Sequence, residues 1–271
     1  MTILGVHGVG NHGPGSDEDN ALRLSAKWTR HLRTNLATYE VAVRVAYYAG
    51  HLDPGTMSMS NPDALPQVVQ DQIRTWAVQL GAPLDGAQGV VTVPIRQVLD
   101  WVARRYGLDH PLVDRLVATF FPEVHIYLAD PASPRRHIAR KAVADALQRW
   151  RPRIVLAHSL GSVVAYEALW TQLDIDIDLL ITMGSPLGMP AIVYDRLVPA
   201  AFAQSRPPNV RRWVNVADKG DLIAIPKSGL TGLFSVDVDR QDLVIGNLDF
   251  HSSSAYLKHP LIAEEIVKHL A

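Results

Sequence analysis

The chain has 271 residues, of which 48% are hydrophobic, enough for one large domain or two with a substantial core. Its formal net charge of −1 argues against a nucleic-acid partner, and the absence of cysteine excludes disulfides, thiolate metal sites and cysteine nucleophiles. The N-terminus lacks the pattern of a signal peptide, and no stretch approaches the ~20 apolar residues of a membrane span. We therefore expect a cytoplasmic protein without a membrane span.

The first predicted elements are those of an α/β protein. A short buried strand at 3–6 leads into a glycine-rich loop at 7–15. Ser16 is a good helix N-cap, and the acidic residues after it suit the positive end of a helix. Beyond that helix, the pattern at 41–48 predicts a second strand.

The loop at 7–15 has several interpretations. Its glycines fit Gly-x-Gly-x-x-Gly between a strand and a helix, the fingerprint of dinucleotide binding. That fingerprint requires an acid at the end of the second strand, where this chain has Tyr47-Tyr48-Ala49-Gly50. Pro14 also stands where the helix should donate N–H groups to a pyrophosphate. The alternatives are an oxyanion loop, which presents the backbone N–H group of Val9, and a plain glycine turn.

Residues 50–130 interrupt the alternation of strands and helices. After a loop at 51–66, apolar residues recur at helical spacing in three stretches, the last at 112–121, just before Pro122. Helices inserted between strands of an α/β sheet usually cover the crevice where ligands bind. We expect a lid over an apolar pocket; the alternative is a helical layer packed on one face of the sheet.

The strongest motif lies at 157–161, where Ala-His-Ser-Leu-Gly separates an apolar run of strand length from a buried helical pattern. A serine at a sharp strand-to-helix turn needs small residues two positions away on either side. The turn lifts its Oγ above the sheet and directs the Leu160 N–H group to the same point. The motif predicts a nucleophile elbow with an exposed Ser159; the alternative is an ordinary turn in which the serine caps a helix.

The remainder of the chain continues the α/β pattern. Apolar stretches predict two further strands, a hairpin or edge strand, and a closing helix. These elements lie at 176–183, 210–217, 234–245 and 261–270, respectively.

Two aspartates just beyond the strand at 210–217 are candidates for the acid of a triad. Asp218 comes first, whereas Asp221 follows Gly220, which permits a turn back toward a histidine loop. An apolar segment at 222–226 would bury Asp221, and burial strengthens the attraction between a carboxylate and an imidazolium. We expect Asp221 to be the acid and Asp218 to hold its loop through backbone N–H groups.

A serine, an aspartate and a histidine in loops after successive strands follow the triad order of the α/β-hydrolase superfamily. The chain resembles that superfamily, and its lipases and esterases in particular, through His7-Gly8-Val9-Gly10, the motif at 157–161, Asp221 and His251. The resemblance implies a single domain over 1–271. Its fold would be a three-layer α/β sandwich with a mostly parallel sheet, helices on both faces and an insertion before the elbow strand.

The resemblance also implies roles for individual residues. Ser159 would be the nucleophile, His251 the base and Asp221 the acid, while the backbone N–H groups of Val9 and Leu160 would form the oxyanion hole. The substrate would be a small molecule, with an apolar acyl group to suit the apolar insertion, cleaved at a carboxylic ester without a cofactor or metal.

Three further histidines are assigned no catalytic role, and several other functions would fit the same sequence features. We predict that His158 points away from the site as a packing or orienting residue, and that His259 and His269 are structural or surface residues. A thioesterase, peptidase or acyltransferase would use the same triad. A binding module without turnover is a further alternative.

Overall fold

The computed structural model describes residues 2–55, 62–83, 93–202, 204–246 and 251–270. Six parallel strands form one sheet in the order β2-β1-β3-β4-β5-β6, which confirms the predicted α/β class. The strands are β1 (Thr2–Val6), β2 (Ala42–Ala46), β3 (Ile154–His158), β4 (Leu179–Met183), β5 (Trp213–Asp218) and β6 (Val238–Leu243).

Helices connect the strands and cover the sheet. They are α1 (Asp17–Leu32), α2 (Gln67–Gln79), α3 (Ile95–Tyr106), α4 (His110–Leu128), α5 (Pro134–Trp150), α6 (Leu160–Leu169), α7 (Ser253–Leu257) and α8 (Pro260–Val267). Short 3₁₀ helices lie at Ala49–Leu52, Pro62–Ala64 and Tyr194–Arg196. The N-terminus of α1 has the predicted cap, in which Ser16 and Asp19 bond reciprocally to each other's backbone N–H group.

Each face of the sheet carries its own apolar core, because successive side chains of a strand point to opposite faces. In β3, Val155 and Ala157 join the core shared with α2 to α6. Ile154 and Leu156 join the core shared with α1, α7 and α8. The result is the three-layer arrangement of helices, sheet and helices that the resemblance implies.

The inserted segment contributes α2, α3 and α4, whose apolar residues belong to the same core as α5 and α6. The third helix does not end before Pro122 but continues to Leu128. A proline removes one hydrogen bond of the helix, and the buried Phe120, Phe121 and Val124 stabilise both sides of this defect. Residues 56–61 and 84–92 of the insertion lie outside the described residues, and the lid stays a prediction.

Of the two interpretations of 234–245, the structure has the edge strand, since β6 pairs in parallel with β5. Across the ranges described above, no helix is both long and apolar enough to span a membrane.

All strands of the sheet are parallel, so their carboxyl ends lie at the same end of the sheet. The loops after β1, β3, β4 and β5 therefore meet there.

Candidate active site

Ser159 occupies a strained turn between β3 and α6. Its backbone has φ +54° and ψ −132°, a conformation that residues with a side chain rarely adopt. The turn brings α6 so close to β1 that a Cβ atom on Gly161 would overlap the carbonyl oxygens of Val6 and His7. The elbow motif therefore requires a small residue at position 161 because any side chain there would collide with this backbone.

The structure brings Ser159, His251 and Asp221 into one hydrogen-bonded chain. Ser159 Oγ lies 2.8 Å from His251 Nε2, and His251 Nδ1 lies 2.9 Å and 2.8 Å from the two carboxylate oxygens of Asp221. In the tautomer that fits, Nδ1–H donates to the carboxylate and Nε2 accepts the serine proton. This is the connection that a serine nucleophile requires.

Asp221 is fully buried and held by several donors. Its Oδ1 accepts from the Ile223 N–H group at 2.9 Å, and its Oδ2 accepts from the Tyr256 hydroxyl at 2.7 Å. Burial by itself raises the pKa of the Asp221 carboxyl. The charge and hydrogen bond of His251, together with these donors, outweigh burial and leave the pKa below its usual value.

Asp218 lies at the end of β5 and makes different contacts. Its carboxylate accepts from the N–H groups of Gly220 and Ile245, at 2.7 Å and 2.8 Å. These bonds tie its own loop to the segment after β6. The structure thus pairs Asp221, and not Asp218, with the imidazole of His251.

The loop after β1 lies directly against the elbow. A Cβ atom on Gly8 would stand 2.6 Å from Ser159 Cβ. Asn11 Nδ2 donates to the carbonyls of Gly8 and Val9, at 2.9 Å and 3.0 Å. Within the part of the chain that the structure describes, the N–H groups of Val9 and Leu160 have no acceptor.

His7 anchors the start of this loop as a neutral imidazole. Burial, with a smaller contribution from the charge of His12, lowers the pKa of His7 to about 4 despite its bond to Gly8. Its Nδ1 donates to the Gly8 carbonyl at 2.8 Å, and its Nε2 accepts from the Tyr48 N–H group at 3.2 Å. The imidazole ring of His7 also stacks on the ring of Tyr48, with centroids 4.2 Å apart.

The prediction that His158 points away from the site is wrong. Because side chains alternate along β3, His158 projects toward α7, and the His251 loop leads into that helix. The two imidazole centroids are 4.8 Å apart, and His158 Nε2 donates to the backbone carbonyl of His251 at 3.0 Å. Burial, followed by the charge of His251, lowers the pKa of His158 to about 3.

The prediction that Ser159 is exposed is also wrong: its exposed fraction is 0%, and 10% of the His251 side chain is exposed. Gly8 lies against the serine, and the Phe120 ring meets the His251 ring edge-on with centroids 6.4 Å apart. Ser159 is therefore enclosed by its neighbours in this structure.

Sequence reasoning assigned no role to Gly184 and Tyr256, which contact the triad. Gly184 follows β4 with φ +54°, and a Cβ atom there would stand 2.5 Å from Asp221 Oδ2 and 3.1 Å from His251 Nδ1. The feature of the sequence that could have identified Gly184 is its place directly after a predicted strand. Tyr256 accepts from the Asp218 N–H group at 2.7 Å while it donates to Asp221. A tyrosine shortly after the histidine was its signal.

His259 and His269 lie elsewhere, on α8 or beside it. His259 caps that helix by accepting from the Leu261 N–H group, and neither contacts the triad. Among the described residues, no group of three or more histidine, aspartate or glutamate side chains could hold a metal ion.

Comparisons of this chain with protein-family models, with curated proteins and with solved structures found no match. A fold class alone hosts many activities. The arrangement of Ser159, His251 and Asp221 is therefore the feature of this chain that bears on its function.

Proposed function

We propose that this protein is a serine hydrolase of the α/β-hydrolase type that cleaves a carboxylic ester through an acyl-serine intermediate. The observation that carries the proposal is the chain from Ser159 Oγ through His251 to Asp221, with contacts of 2.8 Å on both sides of the imidazole. A buried serine that only caps a helix needs neither a histidine beside it nor a carboxylate bonded to that histidine.

In the first half of the reaction, Ser159 Oγ attacks the ester carbonyl carbon while its proton passes to His251 Nε2. The carbonyl oxygen becomes an oxyanion, which accepts hydrogen bonds from the Val9 and Leu160 N–H groups. Collapse of this intermediate breaks the ester bond. His251 returns the proton to the departing alkoxide, and the acyl group stays on the serine.

In the second half, water replaces the alcohol. His251 takes a proton from the attacking water, the oxyanion forms again at the same N–H groups, and the carboxylic acid leaves as Ser159 Oγ regains its proton. Asp221 keeps Nδ1 protonated and stabilises the imidazolium. Its lowered pKa keeps it charged for this role.

The same residues would serve thioesters, amides or transfer to another acceptor. Phe120 of α4, whose ring meets the His251 ring edge-on, supports an apolar acyl group and a role for the insertion in covering it. No described contact favours the dinucleotide-binding alternative, since the glycine loop packs against Ser159.

The experiment is labelling with a small fluorophosphonate, followed by a panel of p-nitrophenyl esters, thioesters and amides. We expect the label on Ser159 of the wild type and less than a few per cent of wild-type ester hydrolysis in Ser159→Ala and His251→Ala. Ser205→Ala is the matched control, because Ser205 is equally buried but bonds to Tyr166. A folded wild type that neither takes the label nor hydrolyses any member of the panel refutes the proposal.

A further inference from the structure

The inserted helix α4 places a buried carboxylate against the loop that holds Val9. Glu123, 2% exposed, accepts a hydrogen bond from the Gly10 N–H group at 2.8 Å across 113 residues of sequence. The same oxygen, Oε1, lies 3.3 Å from His12 Nε2. The bond to Glu123 raises the pKa of His12, so the imidazolium that balances the carboxylate is favoured.

The helix and the loop fit closely. Gly10 has φ +70°, and a Cβ atom there would stand 2.8 Å from Thr119 Cγ2, so only glycine allows this approach. Thr119 and Glu123 are four residues apart and thus share one face of α4. The neighbouring Phe120 faces His251, which places this part of α4 beside both the loop and the triad.

The hydrogen bonds around Val9 determine where its N–H group points. A trans peptide directs its C=O and N–H groups in opposite directions. The Gly8 carbonyl accepts from His7 Nδ1 and Asn11 Nδ2, so the Val9 N–H group is directed away from both. In the next peptide, the Val9 carbonyl accepts from Asn11 and the Gly10 N–H group donates to Glu123. Both ends of the Val9–Gly10 peptide are therefore held.

One feature of Glu123 is costly for stability. Its second oxygen, Oε2, is buried and has no hydrogen-bond partner in the described part of the chain. A buried acceptor without a partner opposes folding. An apolar side chain of similar size would avoid that cost, which favours a role beyond packing.

We propose that Glu123 is a positioning residue of the oxyanion loop, so that the insertion completes the site. This inference rests on the proposed function. His7 and Asn11 orient the Gly8–Val9 peptide, which carries the Val9 N–H group. Glu123 holds the following Val9–Gly10 peptide, and by fixing the other side of Val9 it keeps that N–H group directed at the developing oxyanion. The useful property is the acceptor and not the negative charge, because a negative charge near the oxyanion would oppose it.

Glu123→Gln and Glu123→Met separate these properties. Glutamine keeps an acceptor without the charge, whereas methionine keeps the volume without the acceptor. Loss of one oxyanion donor costs on the order of 10²–10³ in rate. We expect Glu123→Met to lose about 10- to 100-fold in kcat with little change in KM, and Glu123→Gln to stay within about threefold of the wild type.

A second measurement, the affinity for an inhibitor that forms an oxyanion, reports the stabilisation of that oxyanion directly. A trifluoromethyl ketone forms an anionic adduct with the serine, so Glu123→Met should weaken its binding about as much as it lowers kcat, while binding of the corresponding alcohol is unchanged. Glu265→Met is the control: this buried carboxylate pairs with Arg212 and Lys268 at the opposite edge of the sheet, and kcat should not change.

The outcomes are distinct. Wild-type kcat and ketone affinity in a folded Glu123→Met variant overturn the proposal, as does a Glu123→Gln variant as impaired as Glu123→Met. If Glu123→Met does not fold, Glu123→Asp withdraws the acceptor by one methylene, and wild-type kcat in that variant overturns the proposal equally. An inactive, unlabelled wild type would instead refute the proposed function.

Discussion

Acidification should begin to destabilise this protein above the pH range in which its carboxylates titrate. His7 and His158 are both buried, with pKa values lowered from 6.5 to about 4 and about 3, mainly by burial. Each is held in its neutral form, His7 by Gly8 and Tyr48 and His158 by the His251 carbonyl. The unfolded chain binds protons at both histidines near pH 6.5, whereas the folded chain does not.

Stability therefore falls as the pH falls from about 7 to about 4, since the unfolded state binds more protons over this range. One pKa unit corresponds to about 1.4 kcal/mol, and pH 4.5 lies about two units below the pKa of an unfolded histidine. Each buried histidine then lowers the free energy of unfolding by roughly 2–3 kcal/mol. His12, whose pKa is raised by Glu123, works in the opposite direction and reduces the total.

The assay is urea unfolding followed by circular dichroism at pH 7.5 and 4.5. Asp221 does not contribute to the difference, because its pKa is lowered from 3.8 and its stabilisation is lost only below that pH. His158→Gln should recover roughly 2–3 kcal/mol of the loss at pH 4.5, since an amide can still donate to the His251 carbonyl. His137→Gln, at an exposed position, is the control and should recover none.

Two results would refute this reasoning. One is a wild-type free energy of unfolding that changes by less than about 1 kcal/mol between the two pH values. The other is an equal loss in the wild type and in His158→Gln, which would mean that the buried imidazole does not resist protonation.

Four further substitutions test the support of the triad. Asp221→Asn should lower kcat by on the order of 10³–10⁴ through the wrong tautomer of His251, whereas Asp218→Asn should lower the melting temperature more than kcat; the reverse pattern would reassign the acid. Gly184→Ala should displace the Asp221 carboxylate and lower kcat by roughly 10- to 100-fold, measured beside thermal unfolding, and unchanged kcat would contradict the close contact. Tyr256→Phe should cost about 1–3 kcal/mol of stability in urea unfolding, and no loss would mean that its two hydrogen bonds contribute nothing.

Much of the fold and part of the candidate site could be predicted from the sequence by itself, because they depend on constraints between neighbouring residues. Periodicity and turn residues predicted the strands and helices of an α/β protein, and the resemblance to a known superfamily implied that the sheet is mostly parallel. The small residues around Ser159 predicted the strand-to-helix turn, because the backbone there leaves no room for a side chain at Gly161. The choice of Asp221 over Asp218 as the partner of His251 also depended on neighbours in sequence, the flexible Gly220 and the apolar segment after Asp221.

Only the tertiary structure decided which distant residues surround these groups. Glu123 reaches Gly10 across 113 residues, and His158 reaches the His251 carbonyl across 93. The burial of Ser159 likewise depends on loops that meet from separate strands. No local pattern encodes such contacts, because a glutamate in a helix or a histidine beside a serine has the same periodicity whatever packs against it. The sequence thus determined the elements and the turn that carries the serine, and the packing of those elements determined what orients and covers it.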